Sequence, residues 1–101
     1  MICKYITKRN RRIGVVVADV VNDNTYNIEY AVCCPEDKYI KGKSVELAYE
    51  RCHGQDESRT TEKLHSAAVP YYLEMIERAS RYFKGCKPSE RVKFVENKYK
   101  K

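Results

Sequence analysis

Tryptophan is absent from this 101-residue chain, proline occurs only three times, and no apolar run is long enough to cross a bilayer. The longest, residues 13–21, is interrupted by Asp19 and falls far short of the roughly 20 apolar residues that a membrane-spanning helix needs. The first residues place their positive charges after a short apolar start, the reverse of a secretory leader, so a soluble protein of the cytoplasm is expected. Gly14, Gly42, Gly54 and Gly85 are scattered singly, which excludes a glycine-rich phosphate loop. The five cysteines, Cys3, Cys33, Cys34, Cys52 and Cys86, are odd in number and contain no C-x-x-C pair. Neither a secreted disulfide framework nor a structural zinc site is therefore expected. Cys33 and Cys34, being adjacent, would point to opposite faces of a strand.

What the chain has in plenty is positive charge, unevenly placed. Residues 1–13 hold Lys4, Lys8, Arg9, Arg11 and Arg12 with no acid, a charge of +5. Residues 84–101 are also +5, whereas the middle is −4, so the total of +6 comes from the two ends. Such polarity suggests an anionic partner, although basic ends also serve solubility alone.

The length suits one domain with one core. Residues 2–8 alternate as a strand, "NRR" at 10–12 predicts a turn, and residues 13–21 are apolar on both sides, as in a central strand. After "NDN" at 22–24, residues 25–33 alternate strictly. Tyr26, Ile28, Tyr30 and Val32 share one face, and Asn27, Glu29 and Ala31 the other. Short polar turns join antiparallel neighbours, so residues 2–34 predict a three-stranded antiparallel β-meander.

Pro35 ends the sheet, and a loop leads through Gly42 to a helix over about 44–53. Ser44 is its expected N-cap, and Val45, Ala48, Tyr49 and Cys52 its buried stripe. A second helix is predicted over about 61–84, with Leu64, Ala68, Tyr72, Met75, Ile76, Ala79 and Phe83 in register. Pro70 should kink it or restart it from its own first turn, and Gly85 should close it as a C′ residue. Pro88 opens a short basic helix, about 88–98, with Val92 and Val95 inward. The expected fold is α+β, a three-stranded meander packed on one face by two or three C-terminal helices. Two open edges and one exposed face predict a homo-oligomer.

No constellation of catalytic residues stands out, and neither a cofactor nor a metal is expected. Asp19, inside an apolar run, is the most unusual carboxylate, and it is expected to face solvent, pair with a basic neighbour or mark a bulge rather than act in catalysis. Cys52 next to His53 imitates a thiol and base, yet adjacent helical residues point about 100° apart and do not face inward together. Ligand-binding candidates are basic and aromatic. Lys38, Lys41 and Lys43 surround the start of the 44–53 helix, whose free N–H groups favour anions. Tyr71, Arg78, Arg81 and Tyr82 lie beside the apolar stripe of the second helix, a combination suited to stacking on bases and bidentate contact with phosphates. Arg9, Arg11 and Arg12 make the first turn the densest basic spot, matching no DNA-reading motif.

The segment from Gly14 to Arg51, with Cys33, Pro35, Asp37 and Tyr39 in a Cys-x-Pro-x-Asp-x-aromatic pattern and Arg51 near the helix end, resembles small bacteriophage proteins that join a short meander to a helix. The resemblance carries no catalytic residues. It implies a setting of host takeover or counter-defence by binding rather than turnover. The expected function is accordingly sequestration of an anionic nucleotide-type immune signal. Nucleic-acid binding by the basic ends, and inhibition of a host protein through a sheet edge, are the alternatives.

Overall fold

The computed structural model describes residues 1–33, 39–54 and 62–100. Its meander consists of β1 (Ile2–Lys8), β2 (Arg11–Asn22) and β3 (Thr25–Val32), paired antiparallel. The first turn is Arg9–Asn10 rather than 10–12. Both residues have positive φ, 52° and 65°, which matches the right-handed twist of a two-residue hairpin and leaves Arg11 and Arg12 in β2. The β1–β2 register shifts between Ile6 and Thr7, so that Ile13 is an extra residue on β2. Beside it, Gly14 permits a close approach of β2 to β3, since a Cβ there would collide with the Ala31 carbonyl oxygen.

The sheet has four strands, not three. β4 (Lys87–Pro88) pairs parallel to β3, giving the order β1-β2-β3-β4. Two backbone bonds seat it, Lys87 N–H to Asn24 O (2.6 Å) and Ser89 N–H to Tyr26 O (2.9 Å). Further along β3, Tyr72 Oη donates to Ile28 O (2.7 Å) and Arg51 Nη1 to Tyr30 O (3.1 Å), so side chains satisfy carbonyls along that margin.

Helices cover both faces of the sheet, which corrects the expectation of one covered face. α1 (Lys41–His53) packs Ala48 on Val15, Val17 and Ala31. α2 (Val69–Tyr82) and α3 (Glu90–Tyr99) enclose the larger core on the other side, where Tyr72, Met75, Ile76, Ala79, Val92 and Val95 meet Ile6, Val16, Ala18, Tyr26, Ile28 and Tyr30. The exposed face invoked for self-association is therefore occupied by α1. The edge of β1 stays outermost.

Helix boundaries differ from those expected for local reasons. α1 begins three residues early, with Ile40 as its N-cap and both Gly42 and Ser44 inside the helix. Tyr49 is exposed rather than part of the buried stripe. α2 starts only at Val69, with Pro70 in its first turn, because a proline there lacks only an N–H that would have no partner anyway. Residues 62–65 are irregular, although Leu64 and Ala68 still reach the core, and Thr61 lies outside the described residues. Phe83 caps α2, and Gly85, at φ +85°, follows two residues later. α3 opens after Ser89, whose Oγ accepts from Val92 N–H (3.3 Å) and donates to Asn27 Oδ1 (2.7 Å). Among the described residues, no helix is long and apolar enough to cross a membrane.

Candidate anion-binding site

Where α2 ends, it passes the start of β1. Ile2, Arg78, Arg81 and Tyr82 there line an open depression of about 370 Å³. Helical spacing sets its chemistry: residues three and four apart share a face, so Arg78 stands beside both Arg81 and Tyr82. Tyr82 is 63% exposed, and its ring meets Phe83 edge-on at 5.0 Å, with Phe83 stacked in turn on Tyr26 at 6.1 Å. The chain of rings holds Tyr82 from behind while one side faces solvent. Neither Arg78 nor Arg81 forms an ion pair among the described residues. Arg78 lies near enough to β1 for its charge to act on Cys3, whose thiol is nevertheless pushed up by burial.

The other candidates lie elsewhere. Tyr71 is at the opposite end of β1, where its Oη contacts Thr7 N–H (3.3 Å), Oγ1 (3.1 Å) and O (3.2 Å). These bonds, the side-chain one first, lower its phenol pKa. Arg9, Arg11 and Arg12 occupy the exposed hairpin tip. From Ile2 to Lys8 is six strand steps, about 20 Å, so the hairpin and the depression are separate. Arg12 turns to the α1 side and lies over Tyr5, 4.6 Å from the ring centroid. Its charge also reaches Tyr39, where burial raises the phenol and the Ser44 hydroxyl acts against that rise. The base of the hairpin at Arg12 and Tyr39, just before α1, are thus within electrostatic range of each other. Lys43 is exposed there, Lys41 is the first residue of α1, and Lys38 lies outside the described residues, as do Cys34, Pro35 and Asp37.

Of the three fates open to Asp19, the structure shows pairing with basic neighbours. Its Oδ2 is 2.8 Å from His53 Nε2, and its Oδ1 is 3.4 Å from the Met1 amino group and accepts from Val20 N–H at 2.9 Å. Burial raises the carboxyl, but these partners outweigh it and hold the pKa below the ordinary value. Cys52 points away from His53 into the core, donating to Asn27 O at 3.3 Å. Burial, and after it the charge of Asp19, push its thiol up to about 12, opposite to what a nucleophile needs. Among the described residues, no group of three or more His, Cys, Asp and Glu is placed to hold a metal.

The face formed by Asn27, Glu29 and Ala31 is buried beneath α1 rather than open. Asn27 Nδ2 donates to Cys52 O (2.8 Å), Arg91 Nε approaches Glu29 (3.3 Å), and Arg91 Nη1 donates to Glu62 O (2.6 Å). Arg91 therefore belongs to the interior and adds nothing to the basic surface. Ile2 escapes sequence reasoning as a lining residue because an apolar strand residue looks like core. Its position at the outermost strand is a property of strand order alone.

The chain matches no protein-family model, and comparisons with curated proteins and with solved structures return no match.

Proposed function

We propose that this protein binds an anionic nucleotide-type ligand at the depression between β1 and the end of α2, and holds it without turnover. The observation that carries this reading is the grouping of Arg78 and Arg81, without ionic partners among the described residues, beside the exposed ring of Tyr82 over Ile2. Guanidinium groups suit phosphates by bidentate hydrogen bonding, and a phenol ring supplies a stacking surface for a base. A volume of about 370 Å³ is within the range of small-molecule sites. The resemblance to phage proteins supplies the setting, in which the ligand is a nucleotide signal of host immunity.

The test is a thermal-shift series on purified protein with linear and cyclic nucleotides at two salt concentrations. A ligand that binds only the folded state raises the melting temperature with concentration. Arg78→Ala with Arg81→Ala should remove the shift. No shift with any nucleotide, or a shift untouched by the double variant, would sink the assignment.

A further inference from the structure

The depression does not end the positive charge on this side of the molecule. Along β1, Ile2 and Ile6 point into the α2–α3 core, so strand alternation puts Lys4 and Lys8 on the same face. The charge of Lys4 acts on the Tyr71 phenol, and Tyr71 is itself bonded to Thr7. The seam between β1 and α2 therefore passes from Arg81 and Arg78 at Ile2, past Lys4, to Lys8 and the hairpin. Glu74, beside Tyr71, is an acid on this path and leaves a gap near its middle.

The hairpin tip is built at a cost. Lys8 and Arg11 are direct cross-strand partners, and like charges so placed destabilise a hairpin. Arg9 adopts the left-handed conformation, φ 52°, in which asparagine or glycine is far commoner. None of these three cations has an acidic partner among the described residues. A bound polyanion would relieve the repulsion that the fold leaves in place.

Resting on the nucleotide reading of the depression, we infer that the ligand is a short single strand of nucleic acid, with one base on Tyr82 and successive phosphates along the seam to Lys8, Arg9 and Arg11. The seam is about 20 Å long, room for about six nucleotides at the 3.4 Å spacing of a stacked strand. A positive track with an aromatic platform is the general form of a single-strand site.

Fluorescence anisotropy with labelled oligothymidylates of one to eight nucleotides, and their RNA counterparts, tests this across a salt series. Affinity should climb with length and level off at about six nucleotides, with a logarithmic salt slope of about −3 to −4 for about five phosphate contacts. Arg9→Gln with Arg11→Gln should make that slope shallower by about 1.4 and bring the plateau to about four nucleotides. Lys93→Gln with Lys98→Gln removes the same charge from α3 and should change neither. A mononucleotide bound as tightly as the hexamer overturns the single-strand proposal and leaves the depression reading standing. Equal losses in the two double variants reduce the binding to unspecific attraction and overturn it as well. Failure of every probe, mononucleotide included, removes both readings.

Discussion

Arg91 Nε lies 3.3 Å from the Glu29 carboxylate, with the two side chains only 4% and 2% exposed, and this pair ties the first turn of α3 to β3. Breaking such a pair is costlier than never having had it, because the survivor stays buried with its charge. Arg91→Met should therefore lower stability by about 3–5 kcal/mol, and adding Glu29→Gln should recover part of the loss. Urea unfolding of the single and double variants measures this. Losses that simply add would show that the two residues do not act as a pair.

Asp19 links the start of β1, β2 and the end of α1 through Met1 and His53. Its folded pKa lies below the ordinary value, since the hydrogen bonds outweigh burial, so its ionised form stabilises the fold. That contribution is fully present above the unfolded carboxyl value of about 4 and is lost as pH falls through the folded value. Asp19→Asn should be less stable than the parent at neutral pH, with the gap closing below pH about 4. Denaturant titrations from pH 3 to 8 follow the gap, and a constant difference would contradict the linkage.

Much of this architecture is legible in the sequence where one period has no competitor. Residues 25–33 alternate too strictly for a helix, and Tyr72, Met75, Ile76 and Ala79 keep helical spacing whether or not Pro70 moves the helix start. The third layer is hidden because Asn27 and Glu29 look like a solvated strand face. Only the fold brings Cys52 O, Ser89 and Arg91 within reach of them and makes burial tolerable. β4 is too short to leave any periodicity; it exists through two backbone bonds near the first turn of α3. At the site, Arg78, Arg81 and Tyr82 show in the helix pattern, whereas Ile2 and Lys4 join them through strand order.

Two adjacent tyrosines of α2 engage different strands of the sheet. Tyr72 Oη is buried and donates to Ile28 O on β3, whereas Tyr71 Oη occupies the Thr7 backbone on the outermost strand. Tyr72→Phe strands a buried carbonyl and should cost about 1–3 kcal/mol. Tyr71→Phe should show a smaller stability change but freer self-association, because an uncovered edge invites strand pairing. Melting curves and concentration-dependent light scattering separate the two effects. Stronger association in Tyr72→Phe than in Tyr71→Phe would reverse the assignment.

Gly14 sits where β2 and β3 approach too closely for any side chain. Its added Cβ would strike the Ala31 carbonyl oxygen, a backbone atom that cannot rotate aside. Gly14→Ala should destabilise by about 1–3 kcal/mol, as overpacking does. Gly42→Ala is the natural comparison, since its Cβ would meet nothing within 4 Å and the position is helical. There the same substitution should stabilise by about 0.4–1 kcal/mol. Equal effects at the two positions, read by urea midpoint, would contradict the steric account.

Cys52 offers a chemical probe of the core. It is fully buried, its Sγ donates to Asn27 O, and burial followed by the charge of Asp19 raises its thiol to about 12. At pH 8 its thiolate fraction is then about one in ten thousand, against roughly a quarter for an unfolded thiol near 8.5. Iodoacetamide should leave Cys52 unmodified in the folded protein while reaching the partly exposed Cys33 and Cys86 first. In denaturant Cys52 should label as fast as they do, so its labelling rate reports opening of the α1–β3 contact. Peptide mapping by mass spectrometry at graded urea concentrations follows each cysteine separately. Rapid labelling of Cys52 without denaturant would mean that α1 leaves the sheet far more readily than its packing on Val15, Val17 and Ala31 implies.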